Sequence, residues 1–204
     1  FEIAKIYNEQ ASNYKTSKNE TLRFKNKKAL LICDEVSKTF PESLGAKKCM
    51  LLKRNIHTKK IQITAEKYVP INTSSKLLIN YRNINTLFLS IYKLTPQQVL
   101  QFHKTDYYNK IKYIKSLKKV TNWHTNLRNE NDYLQHTTEV VIPKLSGGNY
   151  IIVASEEAEI NPSKMMGTAI IQSTNVTLIE NNFNNAHNYQ VVDRNTGKAI
   201  ANAQ

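Results

Sequence analysis

A change of hydrophobic period near Lys60 restricts this chain to a small set of folds. Before it, apolar residues recur every three or four positions, as they do on one face of an α-helix. After it, apolar and polar residues alternate, as they do in strands with one buried face. A chain that changes period once in this way is predicted to be α+β, with antiparallel helices ahead of an antiparallel β-sandwich.

The first region, residues 1–58, is predicted to contain three helices. Ser43 is the expected N-cap of the third helix, and the break at Pro41 precedes it. Short connections predict antiparallel neighbours, and both the end of a helical-repeat array and a three-helix cap fit the pattern. Each helix carries one apolar stripe: Phe1, Ala4, Tyr7, Ala11 and Tyr14, then Leu22, Ala29, Cys33, Val36 and Phe40, then Ala46, Cys49, Leu52 and Ile56.

The second region, residues 60–187, contains short alternating runs separated by turn signals, which predict an antiparallel, Ig-like β-sandwich. Thr95 is the expected N-cap of a short helix that begins with Pro96 and ends near Phe102. Residues 106–116 fit either a helix or an irregular loop, and residues 181–188 are predicted to be a linker or turn. The predicted strands are 61–65, 77–81, 87–92, 119–127, 134–142, 150–154, 168–171 and 176–179.

The end of the chain is predicted to begin a further strand pair. Val191 and Val192 form a strand pattern, residues 193–197 form a turn pattern, and residues 199–203 begin a new alternation. The chain also begins with Phe1 and not with Met. We therefore expect a segment of a longer modular protein, in which residues 188–204 start a following β-domain.

The charge is large and unevenly distributed. The formal net charge is +13, and residues 1–127 contain 24 Lys and Arg against 8 Asp and Glu. Nearly all of the excess is Lys, which lacks the planar guanidinium that Arg uses to bind phosphates and bases. Solvated helix surfaces are therefore favoured over an anionic partner, and no nucleic acid is expected.

The longest apolar runs, such as residues 150–155, are too short to span a bilayer.

The sequence contains no recognisable catalytic, cofactor-binding or metal-ligating motif. No catalytic, cofactor-binding or metal-ligating residue is therefore assigned, and the chain is not expected to be an enzyme. Cys33 and Cys49 match neither a zinc-site spacing nor a redox motif, and they are either a disulfide or buried thiols. The acidic run 156–159 is interpreted as a solvated loop. The histidines are interpreted as isolated surface residues: His57, His103, His124, His136 and His187.

Trp123 follows a stretch in which aromatic and basic residues are mixed. Tyr107, Tyr108 and Tyr113 precede it, among several lysines. Such a mixture can form a stacking platform for single strands or sugars. In a β-sandwich, however, a Trp on a strand more often fills the core between the sheets, and this interpretation is favoured here.

Several segments, in this order, resemble parts of bacterial alpha-2-macroglobulin-like proteins. The helical segment resembles one found ahead of the sandwich in Bacteroides-like members, the next two resemble strands of a macroglobulin-type domain, and the last resembles the start of the following domain. The segments are Phe40-Pro-Glu-Ser-Leu-Gly-Ala-Lys-Lys-Cys49, Leu78-Ile-Asn-Tyr-Arg-Asn83 with Leu87-Phe-Leu-Ser-Ile-Tyr-Lys-Leu94, Thr138-Glu-Val-Val-Ile-Pro-Lys-Leu-Ser-Gly-Gly-Asn-Tyr150, and Val191-Val-Asp-Arg-Asn-Thr-Gly-Lys-Ala-Ile-Ala-Asn-Ala203.

This resemblance implies a non-catalytic scaffold segment of a protein that traps or inhibits proteases at the bacterial envelope, in the periplasm or at the outer-membrane surface. It implies neighbouring domains of the same chain as partners, proteases as partners of the parent, membrane contact only through an anchor elsewhere, and no cofactor. No thioester motif is present, because Val36 and Leu52 stand where Gln would follow Cys33 and Cys49. The alternative is a carbohydrate- or surface-binding Ig-like module of an adhesin, with its site near Trp123.

Overall fold

Three α-helices form the first part of the computed structural model, which describes residues 1–16, 18–183 and 186–203. Helix α2 packs against both α1 and α3, and small residues at the contacts, such as Ala4, Ala29 and Ala46, are buried. The predicted N-cap is confirmed, since Ser43 Oγ accepts a hydrogen bond of 3.0 Å from the Ala46 amide. The elements are α1 Glu2–Ser12, a 3₁₀ turn Glu20–Leu22, α2 Lys25–Thr39 and α3 Leu44–His57.

Within the described residues, ten strands follow in three sheets. The first sheet has the order β1-β3-β6, the second β2-β8-β7-β4-β5, and the third is the hairpin β9-β10. Two further helices, α4 Pro96–Lys104 and α5 Tyr107–Ser116, lie between β4 and β5 in the chain. The strands are β1 Lys60–Ala65, β2 Tyr68–Val69, β3 Ser75–Arg82, β4 Thr86–Leu94, β5 Lys118–Asn126, β6 His136–Ile142, β7 Gly148–Ser155, β8 Met166–Ser173, β9 Val176–Phe183 and β10 Ala186–Asp193.

The three-stranded and five-stranded sheets face each other across a shared apolar core, which confirms the predicted α+β sandwich. Alternate residues of β3, such as Leu77 and Ile79, are buried in this core. Leu89 of β4 and Ile152 of β7 contribute to it from the opposite sheet. The alternation of β3 follows from its position, because one face of this sheet contacts the core and the other contacts solvent.

Helices α4 and α5 cover the outer face of the five-stranded sheet. Ile151 and Val153 of β7 are buried against them, together with Phe102 of α4 and Ile114 of α5. Strand β7 is therefore buried on both faces, which explains why its apolar run does not alternate. Residues 107–116, for which the sequence fitted both a helix and a loop, form a helix whose N-cap, Asp106, accepts bonds from the amides of the first turn.

Two features of the sandwich region differ from the sequence prediction. The sandwich is not wholly antiparallel, because the two-residue strand β2 pairs with β8 in parallel. The linker or turn predicted over 181–188 is too long, since β9 extends to Phe183 and β10 begins at Ala186 in antiparallel register with it. Residues 184 and 185 lie outside the described part of the chain. The division into domains at 58/60 and 187/188 stays a prediction.

The tail turns back on β10 as predicted, but it forms a single bridge and not a strand. Val192 is bridged to Ala199. The turn between them is held by Asp193, whose Oδ1 accepts hydrogen bonds from the amides of Asn195 at 3.0 Å and Thr196 at 2.8 Å. Within the described residues, no helix is long and apolar enough to cross a bilayer.

The sandwich core predicts the stability of two leucine variants. Replacing Leu89, which is 0% exposed, by Ala should lower the free energy of unfolding by about 3 kcal/mol, because burial is lost and a cavity remains. The matched variant Leu178→Ala, on β9 where the side chain is 60% exposed, should change it by less than about 0.5 kcal/mol. Urea unfolding followed by circular dichroism measures both. Equal effects would contradict the assignment of Leu89 to the core.

Candidate functional site

A network of charged side chains lies where the helices meet one end of the sandwich. Arg23, just ahead of α2, forms ion pairs with Asp132 and Glu130 in the connection between β5 and β6. A cavity of about 550 Å³ opens beside the network. It is lined by residues of the α1–α2 connection and of β5 and β6, the edge strands of the two facing sheets.

The β5–β6 connection has an unusual backbone that presents Asp132 to the helices. Asn131 and Tyr133, on either side of it, have φ angles of 54° and 59°. A positive φ is uncommon for a residue such as Tyr and persists only where the surroundings impose it. Here the Tyr133 side chain packs into the core of the helices, and its ring meets the ring of His57 edge to face with centroids 5.2 Å apart.

The carboxylate of Asp132 is almost fully buried, with 1% of the side chain exposed, and both oxygens have partners. Oδ2 accepts from Arg23 Nε at 3.1 Å, and Oδ1 accepts from the Leu134 amide at 3.0 Å. Oδ1 also lies 2.8 Å from His136 Nε2. Burial by itself raises the pKa of Asp132, but the bonds from His136, Leu134 and Arg23 outweigh it, and the pKa is lowered.

The same contact raises the pKa of Arg23, with the hydrogen bond to Asp132 as the main cause. Arg23 Nη2 reaches Glu130 Oε2 at 3.1 Å, and Arg128 also pairs with Glu130. One guanidinium therefore bridges two carboxylates of a single loop. These partly buried ion pairs hold the loop against the helices. Separating the two would leave charged groups without their partners, which is unfavourable away from water.

Two asparagines extend the contact to α1 and α2. Asn26 of α2 is buried, and its Nδ2 lies 3.5 Å from the carbonyl oxygen of Asp132 and 3.4 Å from that of Tyr133. Asn8 of α1 donates to Asn26 Oδ1 at 2.8 Å. Polar backbone groups of the buried loop are thus satisfied by helix side chains, as burial requires.

A second contact fixes the C-terminus of α3. Arg82 Nη2 donates to the Asn55 carbonyl at 3.0 Å, and Asn83 Nδ2 donates to the Ile56 carbonyl at 2.8 Å. The last carbonyls of a helix lack partners within the helix and carry a partial negative charge, so a cation there is favourable. The β3–β4 turn therefore caps the helix that precedes the sandwich.

The chemistry of the network is structural. A nucleophilic enzyme needs a hydroxyl or thiol within hydrogen-bond reach of its His. Among the residues that the structure describes, the recorded polar contact of the His136 ring is with Asp132, and no group of three His, Cys, Asp or Glu is placed to hold a metal ion. The contacts of the network hold the backbone of the β5–β6 connection against the helices.

The structure corrects the interpretation of one histidine, His136, as an isolated surface residue, whereas the other four histidines are exposed. His136 pairs with buried Asp132. His57 Nδ1 donates to the Lys53 carbonyl at 2.8 Å, and its ring contacts Tyr133 as described above. His187 lies 2.9 Å from Glu180. Sequence reasoning missed the network because Arg23 and Asp132 are far apart in the chain, and only the spacing of Asp132 and His136 offered a local signal.

The aromatic residues near Trp123 do not form a platform. Trp123 is half-buried and packs against the core between the sheets, which confirms the favoured interpretation. Tyr113 packs on the opposite side of the five-stranded sheet, among α4 and α5, and its hydroxyl donates to the Gln98 carbonyl at 3.1 Å. Tyr108 is exposed, and the side chain of Tyr107 lies outside the described part.

Two further candidates are placed inside the fold. Cys33 and Cys49 are free thiols, buried side by side in the core of the helices. The predicted solvated loop 156–159 contains one carboxylate with a structural role. Glu156 accepts from Lys59 at 2.6 Å and from the Met165 amide at 3.1 Å, which links the start of the sandwich to the β7–β8 connection.

Comparison with known proteins returns similarities of shape. No protein-family profile matches the sequence, and no curated protein matches it. A solved structure of Escherichia coli alpha-2-macroglobulin spanning domains MG0-NIE-MG1 is 10% identical, with a TM-score of 0.48 over 69% of this chain and 48% of that one. A second, spanning NIE-MG1, is 11% identical, with a TM-score of 0.44 over 69% and 73%.

A CARDB domain from Pyrococcus furiosus, solved with two metal ions, is 13% identical, with a TM-score of 0.32 over 57% of this chain and 88% of that one. The chain thus spans about half the length of the first alpha-2-macroglobulin structure. At these identities the function must be argued from the residues of this chain.

The ion pair of Asp132 predicts a pH dependence of stability. A carboxyl whose pKa is lowered by folding stabilises the protein above its unfolded pKa of about 3.9, and the stabilisation is lost as the pH falls through the folded pKa. Asp132→Asn should therefore lower the free energy of unfolding by about 2 kcal/mol at pH 7, and the difference from the wild type should shrink below about pH 4. Asp34→Asn, at an exposed ion pair, is the control and should cost less than about 1 kcal/mol. A pH-independent difference would contradict the assignment.

The buried thiols predict slow alkylation. Burial, with a smaller effect of the Cys49 side chain, raises the pKa of Cys33 to about 12, and the thiolate is the reactive form. Native protein should react with Ellman's reagent far more slowly than unfolded protein does. The variant Met50→Cys, which places a thiol at a position 68% exposed, should react at once. Equally fast reaction of the native wild type would show that the helices open readily.

Proposed function

We propose that this chain is a non-catalytic scaffold module in which a helical unit and a β-sandwich act as one mechanical piece. The observation that carries the proposal is the buried Asp132, which joins the sandwich loop to Arg23 at 3.1 Å while Asn26 satisfies the backbone beside it. An adaptable hinge would be expected to use exposed, loosely paired groups, whereas this contact is buried and its polar groups are paired.

The cap on α3 supports the same role. Arg82 and Asn83 bond to carbonyls at the end of the helix, and only two residues separate α3 from β1. A short connection with a capped helix end leaves little freedom for rotation between the helices and the first strand. Force applied to the helices would therefore be passed to the sandwich.

In the proposed parent, such modules would hold neighbouring domains of the same chain at fixed positions. We include in the proposal that the parent is an alpha-2-macroglobulin-like protein that traps proteases at the bacterial envelope. The support for this part is the order of the resembling segments in the sequence.

Protease trapping is tested on the intact gene product. A trapped protease should still cleave a small chromogenic peptide but lose activity on a large protein substrate, and unchanged activity on both would reject trapping.

The mechanical proposal is tested with two spin labels on cysteines introduced at Lys47 of α3 and Gln62 of β1, both exposed. Pulsed electron paramagnetic resonance should give a narrow distribution of distances between the two labels in the otherwise unaltered chain, because the contact between the helices and the sandwich is fixed. Adding Arg23→Gln together with Asn26→Ala should broaden it, because the contacts to the β5–β6 connection are lost.

The control for this experiment adds Lys38→Gln, an exposed change on α2, which should leave the distribution narrow. A broad distribution in the chain with labels alone would reject the rigid module. A narrow one in the Arg23 and Asn26 variant would show that the rigidity has another source, such as the cap on α3.

A further inference from the structure

A groove separate from the joint lies on the outer face of the five-stranded sheet. Helices α4 and α5 cover β4 and β7 but leave part of β8 exposed, and the uncovered space has a volume of about 630 Å³. This volume lies in the range of small-molecule sites. Its floor is apolar, formed by Phe102 and Val99 of α4 and by Ile170 of β8.

Two lysines line the groove, and each ammonium group lies over an aromatic ring. Lys110 Nζ is 5.1 Å from the centroid of Phe102, and Lys67 Nζ is 5.1 Å from the centroid of Tyr68. Such contacts restrict where a flexible lysine places its charge. Lys110 is itself half-buried.

The lysines are not neutralised by the protein. Across residues 1–16, 18–183 and 186–203, no carboxylate forms an ion pair with Lys67 or Lys110, and no Asp or Glu lines the groove. The acidic residues closest in sequence are engaged elsewhere. Glu66 faces Arg194 at 3.9 Å, and Asp106 accepts from the Asn109 side chain at 2.7 Å.

We propose that this groove binds a small amphiphilic anion, with a carboxylate between Lys67 and Lys110 and an alkyl body on Phe102, Val99 and Ile170. Ligand sites combine apolar contacts with polar groups that fix the orientation of the ligand, and this groove offers both, since its lining also includes His103, Asn149, Thr168 and Gln172. The charge selects an anion, since a cation would approach two uncompensated lysines and a neutral molecule would leave them unpaired. The apolar floor selects a body of several carbons over an inorganic ion.

The occupant is a free molecule and not a membrane surface. Val99 and Ile170 are half-buried, so they lie in the floor and do not project as an inserting residue would. This binding activity goes beyond the scaffold role and does not depend on it. A module that holds domains in place can carry a ligand site on a face that the joint does not use.

Calorimetric titration with sodium octanoate, below its micelle concentration, tests the proposal on the whole chain. One octanoate should bind per chain, and the double variant Lys67→Gln, Lys110→Gln should weaken binding at least tenfold, because two charge-assisted contacts are lost. The matched control is Lys112→Gln with Lys115→Gln. It removes two lysines of α5, the helix that carries Lys110, and neither of them lines this groove. It should leave the affinity within twofold.

Two further arms separate the contributions of charge and shape. Octyltrimethylammonium should not bind, and octanol should bind at least tenfold more weakly than octanoate. Ile170→Trp, which fills the floor, should abolish octanoate binding while urea unfolding shows that the fold is retained. If this variant unfolds, the lysine variants carry the test, because they change groups at the surface.

Several results would overturn the proposal. These are no octanoate binding to the wild type, equal binding of the ammonium compound, or equal loss in the two double-lysine variants, which would indicate attraction by net charge alone. Flotation with phosphatidylglycerol vesicles is the last arm. Binding to vesicles through Lys67 and Lys110 without binding of free octanoate would assign the groove to a membrane surface instead.

Discussion

The structure depends on the need to cover both faces of the two central strands, β4 and β7. Successive residues of β7, such as Ile151 and Ile152, point to opposite faces and are both fully buried. One face is covered by the three-stranded sheet and the other by α4 and α5. The helices leave part of β8 uncovered, and the groove with Lys67 and Lys110 lies there.

The joint at Asp132 shows how a buried charge can set the relation between two parts of a chain. Burial raises the pKa of this carboxylate, and the bonds from His136, the Leu134 amide and Arg23 outweigh that effect and favour its ionised form. These groups come from the helices, from β6 and from the loop itself, so the bonds form only in one arrangement. Such an interaction contributes more to specificity of arrangement than to net stability, because desolvation offsets much of the attraction.

Local physics made much of the fold predictable. The N-caps Ser43 and Thr95 were assigned from residue type and position, and both accept the expected amide bonds. The strands were assigned from alternation, which needs no knowledge of partners. The predicted linker or turn at 181–188 was too long for a physical reason, since Asn181, Asn182 and Asn188 favour turns by propensity whereas backbone pairing in β9–β10 places them in strands. The residues of the Asp132 network gave no local signal beyond the spacing of Asp132 and His136.

The amino-acid sequence by itself determined the order of helices and strands, the face that each one buries and most of the caps, because these depend on residues within a few positions of each other. Tertiary structure decided which sheet each strand joined, that α4 and α5 would cover the sandwich, and that Arg23 would meet Asp132. Those contacts join residues distant in the chain, and their energies arise from burial, which exists only once the layers have packed.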